Sequence, residues 1–128
     1  MAQSLLVDTD VLIDYLRGVE PAVSFLERAR GPLLVSAISV AELYSGVREG
    51  AERKAMESFL MAFELVVVDG IVAARGGLHR RKYGSSHGVG LADALIAATA
   101  EIRRARLATL NRRHFPMVDG VVVPYRRK

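Results

Sequence analysis

The sequence predicts an α/β domain with a central, mainly parallel sheet of four or five strands flanked by helices. Three observations carry that reading. Short, continuous apolar runs alternate along the chain with longer stretches of helical periodicity, which is how a parallel sheet with crossover helices is written. The 128 residues amount to one domain, 1–128, with no room for a second. Hydrophobic residues make up 51% of the chain against 25% charged, enough to bury a core and too apolar for disorder.

The elements follow in order. Residues 5–7 form a first apolar run that stops at Asp8, and a helical pattern covers 11–17. Pro21 opens the next helical stretch, 22–30, and Gly31-Pro32 ends it, as proline starters and glycine stops do. A second strand is expected at 33–35, then a helix over 40–47 introduced by Ser39-Val40-Ala41-Glu42, which has the form of a capping box. Residues 51–63 read as helix, 65–68 as a third strand and 71–83 as helix. Residues 83–90 are glycine-rich but lack the G-K-[ST] ending of a phosphate-binding loop, so they are expected to form a flexible loop leading into a helix over 92–102. Strands at 107–109 and 121–123 complete the pattern.

Several chemistries fall away at once. With no cysteine there is no disulfide, thiolate zinc site, iron–sulfur cluster or cysteine nucleophile. No stretch approaches the roughly 20 apolar residues of a membrane helix, so no membrane association is expected. The apolar run at 5–7 is too short for a signal peptide and lacks a basic leader, which predicts a soluble, cytoplasmic protein. Lys and Arg number 18 against 14 Asp and Glu, a net charge of +4 that leans toward polyanionic partners such as nucleic acid.

Open parallel sheets bind ligands outside the carboxyl ends of their strands, where the strand order reverses. Four polar positions are expected at that edge: Asp8, Glu42, Asp93 and Asn111. Asp8 directly follows an apolar strand, where a carboxylate needs a partner, a cation or water, although a helix-capping role would also account for it. Asp10 precedes Val11-Leu12-Ile13 and fits the capping role better; Asp14, one turn on, reads as a solvated or Arg17-paired residue. Glu42 is either the partner of Ser39 in a capping box or a ligand. Asp93 sits in the first turn of a segment apolar on nearly every side, where a charge needs a reason. Three neighbouring carboxylates at pH 7 call for a divalent cation or a raised pKa. Oxygen donors without thiolates select Mg2+ or Mn2+, which favours phosphodiester hydrolysis.

Taken together, Leu6-Val7-Asp8-Thr9-Asp10-Val11-Leu12-Ile13, Ser39-Val40-Ala41-Glu42-Leu43-Tyr44-Ser45-Gly46, Leu91-Ala92-Asp93-Ala94-Leu95-Ile96-Ala97-Ala98-Thr99-Ala100 and Ala108-Thr109-Leu110-Asn111-Arg112-Arg113-His114-Phe115 resemble a PIN-domain ribonuclease, more narrowly a VapC-type toxin of a toxin–antitoxin pair. The likeness covers essentially the whole chain. It places the family's first three acidic positions on Asp8, Glu42 and Asp93, which would hold the metal, and the fourth on Asn111, where many relatives carry Asp. Thr109 would orient that group and Asp10 would support Asp8. The resemblance implies Mg2+-dependent endonucleolytic cleavage of RNA, with activated water attacking phosphorus in line. It also implies tRNA or rRNA substrates, inhibition of translation, a homodimer or higher toxin–antitoxin assembly, and a small cognate antitoxin.

Basic segments supply candidate RNA contacts, each of which would also serve as a solvated helix face or tail. Arg112 and Arg113, beside Asn111, lead; Arg80, Arg81 and Lys82 follow, then Arg103-Arg104 with Arg106, and Arg126-Arg127-Lys128. Two rival functions stand beside the nuclease. Asp8-x-Asp10 after a strand also suits a haloacid-dehalogenase-like phosphatase using Asp8 as nucleophile, but such enzymes need a strand-end lysine, and none of Lys54, Lys82 and Lys128 follows an expected strand. The other rival is a PIN-fold RNA-binding protein without catalysis.

Overall fold

The computed structural model describes residues 2–127. Its strands are β1 (Leu5–Val7), β2 (Leu33–Ser36), β3 (Glu64–Val66) and β4 (Arg106–Ala108). The helices are α1 (Thr9–Leu16), α2 (Glu20–Glu27), α3 (Ala37–Gly46), α4 (Ala51–Leu60), α5 (Gly70–His87) and α6 (Leu91–Arg103), with a 3₁₀ turn at Arg112–His114. The sheet runs β3-β2-β1-β4 and every pairing is parallel. Each crossover carries two helices, as parallel neighbours require.

Successive strand residues point to opposite faces, and the sequence supplies an apolar side chain to each. Leu6, Leu34 and Leu107 join Ile96, Ala97 and Phe115 on one face. Val7 and Val35 join Val11, Leu12, Leu26 and Met56 on the other. Burying each such side chain stabilises the fold by about 2 kcal/mol. Strands that are apolar throughout are what two-sided covering demands, which is why these short runs were legible without any alternation.

The α5–α6 pair fixes the position of Asp93, and it packs closely because residue 76 is glycine. A Cβ there would lie 2.5 Å from Leu95 Cδ2 and 3.1 Å from Leu95 Cα. The left-handed Gly88, with φ of 63°, then ends α5 and turns the chain into α6.

Three expectations change. Residues 83–90 are not a flexible loop: α5 continues to His87, whose ring meets Tyr83 edge-on, despite the poor helix propensity of Gly84, Ser85 and Ser86. The expected strand at 121–123 shrinks to one bridge between Val122 and Ala108, since the chain there turns away to cross α1. The third strand begins and ends earlier than 65–68, leaving Val67 outside it and 61% exposed. No helix among the described residues is long and apolar enough to cross a membrane.

Candidate active site at the β1–β4 crevice

β1 has β2 on one side and β4 on the other, so the chain leaves β1 in one direction and returns last to its opposite flank. That reversal marks the crevice where an α/β sheet binds ligands. Asp8 lies at the end of β1 and Thr109 at the end of β4, and the two are joined: Thr109 Oγ1 donates to Asp8 Oδ2 at 2.7 Å. The other Asp8 oxygen accepts from the Thr9 amide at 2.8 Å, so Asp8 is the N-cap of α1. The sequence favoured Asp10 for that role. The cap instead falls to the residue that still has extended backbone, because the helix starts immediately where the strand stops.

Asp10 serves a different purpose. Its Oδ1 accepts from the Val11 amide at 2.7 Å and its Oδ2 from the Leu110 amide at 3.0 Å, with Thr109 Oγ1 at 3.4 Å. It therefore stitches α1 to the segment after β4 and supports the Asp8–Thr109 pair from beneath.

Asp8 is 6% exposed. Burial, then the neighbouring charge of Asp10, raises its pKa to about 7; the bonds from Thr109 and Thr9 oppose the rise and the more distant Asp93 adds to it. Among the described residues, no salt bridge reaches Asp8. Asp10 is shifted upward too, again mainly by burial, but less freely, because Leu110, Val11 and Arg127 favour its charged form.

Glu42 projects from α3 and is exposed. Thr9 donates to its Oε1 at 2.7 Å, and the same hydroxyl lies 2.8 Å from that of Ser39. The capping box does not form: Ser36 caps α3 through the Ile38 amide at 3.0 Å, and Ser39 is buried inside the helix. Of two serines able to cap, the one ending β2 does so, and Glu42 is released from the helix start to meet Thr9 across the crevice.

Asp93 stands in the first turn of α6, whose N-cap Gly90 offers no side-chain bond. Its Oδ2 is 3.0 Å from His114 Nδ1, and the Asn111 amide nitrogen is 2.9 Å from the same ring nitrogen. Nδ1 serves one partner at a time, donating to Asp93 when it carries a proton and accepting from Asn111 when it does not. Asn111 is itself fixed by its backbone amide, which donates to Thr109 Oγ1 at 3.1 Å. His114 and Thr9 are members of this site that the sequence did not single out; their only signal was adjacency to residues that it did.

The structure thus brings Asp8, Asp10 and Thr109 into direct contact and Asp93, Asn111 and His114 into a second group, with Glu42 on Thr9. Among the described residues no three carboxylate or imidazole groups stand close enough together to enclose an ion, so the three carboxylates expected at one point are distributed along the crevice. The donor chemistry still suits a hard divalent cation: the side chains gathered here offer oxygen or imidazole, and the buried Asp8 forms no salt bridge among the described residues.

Arg112 and Arg113 are exposed beside Asn111, Arg112 donating to the Val121 carbonyl at 3.1 Å. Arg80, Arg81 and Lys82 lie along α5, exposed, and Lys82 rests over the Tyr83 ring; no hydrogen bond among the described residues links them to the acidic groups. Arg103 is engaged elsewhere, pairing with Glu64 on β3 at 2.8 Å. Asp14 is not solvated: it is buried and bonded to Tyr125 and Arg127. Lys54 and Lys82 stand on α4 and α5, away from any strand end, which leaves the phosphatase reading without its lysine; Lys128 lies outside the described residues.

A family model described as PIN domain matches residues 5–121. Ribonuclease VapC10 of Mycobacterium tuberculosis is 45% identical over 124 residues, covering 94% of this chain and 92% of that protein. Ribonuclease VapC19 of the same organism is 42% identical over 94% of this chain and 98% of its own length. Among solved structures, a toxin–antitoxin complex from Klebsiella pneumoniae superposes with a TM-score of 0.84 at 29% identity, covering 96% of this chain and 99% of that one.

Proposed function

Because the chain belongs to the PIN domain family, we propose that it is a Mg2+- or Mn2+-dependent endoribonuclease, the toxin of a VapBC-type pair, cleaving structured RNA and so inhibiting translation in the cytoplasm. The observation that carries the reading is the buried, uncompensated carboxyl of Asp8 at the β1–β4 crevice, with Asp10 and Asp93 in its field. The ribonuclease names of the two mycobacterial relatives support the substrate class, and the toxin–antitoxin complex supports a small antitoxin as partner. A homodimer, or a larger assembly with antitoxin, belongs to the same proposal.

Asp8 and Asp93, with Glu42, would hold the cation. The chemistry such a cation would supply is activation of water at neutral pH and stabilisation of charge on a phosphoryl oxygen. The chain's own residues do the rest. Thr109 fixes one Asp8 oxygen and the Thr9 amide the other, so the carboxyl cannot rotate as a substrate enters. Asp10 immobilises the segment carrying Thr109 and Asn111. His114 Nδ1 ties either Asp93 or the Asn111 side-chain amide on the far wall, one at a time. Arg112 and Arg113 flank Asn111, where they would meet the phosphate backbone.

Asp8→Ala should reduce cleavage of purified tRNA or rRNA by more than about a hundredfold, with a circular dichroism spectrum like that of the parent. EDTA should stop cleavage and added Mg2+ should restore it. Undiminished cleavage by Asp8→Ala would remove the mechanism, and cleavage persisting in EDTA would remove the metal.

A further inference from the structure

Asp14 is a buried carboxylate that the chemistry above does not use. It lies on α1, 5% exposed, and three bonds converge on it from the end of the chain. Tyr125 Oη donates to Oδ2 at 2.8 Å, Arg127 Nε to Oδ2 at 3.1 Å and Arg127 Nη2 to Oδ1 at 2.9 Å. The last two form the parallel fork by which guanidinium holds a carboxylate in one orientation. The segment carrying Tyr125 and Arg127 is thereby pinned across α1.

The pinned segment builds the wall of a cleft. About 550 Å³ of open space lies between Asp10, Leu110 and Asn111 on one side and Val123, Tyr125 and Arg126 on the other. The first three residues are those that carry the β4 side of the crevice, so the cleft continues outward from the proposed cutting position. Arg127 contributes no free charge, since the Asp14 carboxylate neutralises it. Arg126 is exposed and joined to no carboxylate among the described residues. Of the two arginines lining the cleft among the described residues, Arg126 is therefore the available cation, next to the side chains of Val123 and Tyr125.

A polynucleotide held at the crevice has to leave it, and its backbone presents a phosphate at every nucleotide. We propose that this cleft is a flanking phosphodiester subsite, in which Arg126 binds the RNA backbone next to the scissile phosphate and Asp14 is a positioning residue that holds Arg126 there through Tyr125 and Arg127. The proposal rests on the ribonuclease reading.

The test is equilibrium binding of a short fluorescein-labelled single-stranded RNA to the full chain carrying Asp8→Asn, followed by anisotropy over a salt series. Arg126→Ala should weaken binding about five- to tenfold near 0.1 M salt and lower the slope of log Kd against log salt by about one. Asp14→Asn made together with Arg127→Gln, which removes the fork without freeing a guanidinium, should weaken binding to a similar extent in the Arg126 protein and have no further effect once Arg126 is alanine. Tyr125→Phe, which removes one tie without altering charge, gives the same pattern at smaller amplitude should that double variant fail to fold. Unchanged affinity and slope in Arg126→Ala, with RNA still bound, would overturn the subsite and leave the ribonuclease reading standing. Additive losses from that double variant and Arg126→Ala would overturn the positioning role. Poly-glutamate competing with RNA only while Arg126 is present would reassign the cleft to an acidic protein segment and overturn the proposal. No RNA binding by the parent chain would overturn both this inference and the function it rests on.

Discussion

Asp8 and Asp14 stand near opposite ends of one helix, α1, and are buried alike at 6% and 5% exposure, yet they hold their protons in opposite ways. Burial pushes both carboxyls up. At Asp8 the nearby Asp10 adds to the rise and the pKa reaches about 7. At Asp14 the bonds from Arg127 and Tyr125 outweigh burial and hold the carboxyl below the ordinary value, while Tyr125, desolvated and donating to a carboxylate, is driven above its own. The difference teaches that desolvation alone does not mark a reactive carboxyl. A buried acid given a cation keeps its charge within the fold; a buried acid given only hydroxyls, amides and other acids is one that a cation from outside would stabilise.

The largest expected effect separates the two by function. Asp8→Asn should abolish RNA cleavage while raising the thermal midpoint of the metal-free chain. The sign follows from linkage: with a folded pKa of about 7 against 3.8, the native state binds more protons in that window, so stability falls as pH rises through it. Asn removes the fall, so the gain should be about 5–10 °C at pH 8 and vanish near pH 4. A variant less stable than the parent at pH 8 would contradict the account of Asp8.

Asp14→Asn should do the reverse. It loses the fork to Arg127, costing about 1–3 kcal/mol, with the midpoint lower by roughly 4–10 °C at pH 7. Because the folded pKa is depressed, the contribution of Asp14 is present above the unfolded value and disappears as pH falls through the folded one. Parent and variant should therefore converge in strong acid, and scanning calorimetry against pH reads both trends.

The smallest effect tests whether the two acids differ only in their partners. Arg127→Met should move the Asp14 titration upward, toward the behaviour of Asp8, as followed by carboxyl carbon shifts in a pH series. An unmoved titration would assign the difference to the site rather than to the guanidinium.

Asp8 and Asp93 stood out in the sequence because each adjoins apolar residues, and a charge in such company advertises itself locally; Asn111, neutral and followed by Arg112-Arg113, was reached only by its place after an expected strand and by the family resemblance. Glu42 was half legible: Ser39 three residues earlier offered a complete local explanation, and only the end of β2 at Ser36 decides which serine caps. Asp14 was misread because Arg127 lies 113 residues away, and no local pattern records a partner at that distance. His114 escaped for the same reason, its contact with Asp93 spanning 21 residues. The strands and helices themselves were readable wherever periodicity or continuous apolarity governed, and failed where local propensity ran against the outcome, as in the extension of α5 through Gly84-Ser85-Ser86.

The long reach of these bonds also orders events in time. The Asp8–Thr109 hydrogen bond closes over 101 residues and the Asp14–Arg127 fork over 113, whereas much of the α1 and α2 packing is local. On a ribosome, where residues emerge in order, helices can form while synthesis proceeds, but β4 must be released before Asp8 has its partner, and the final residues before the cleft has its wall. A growing chain therefore has Asp8 unpaired until Thr109 is released, and under the proposed mechanism it would lack a positioned Asp8 until then.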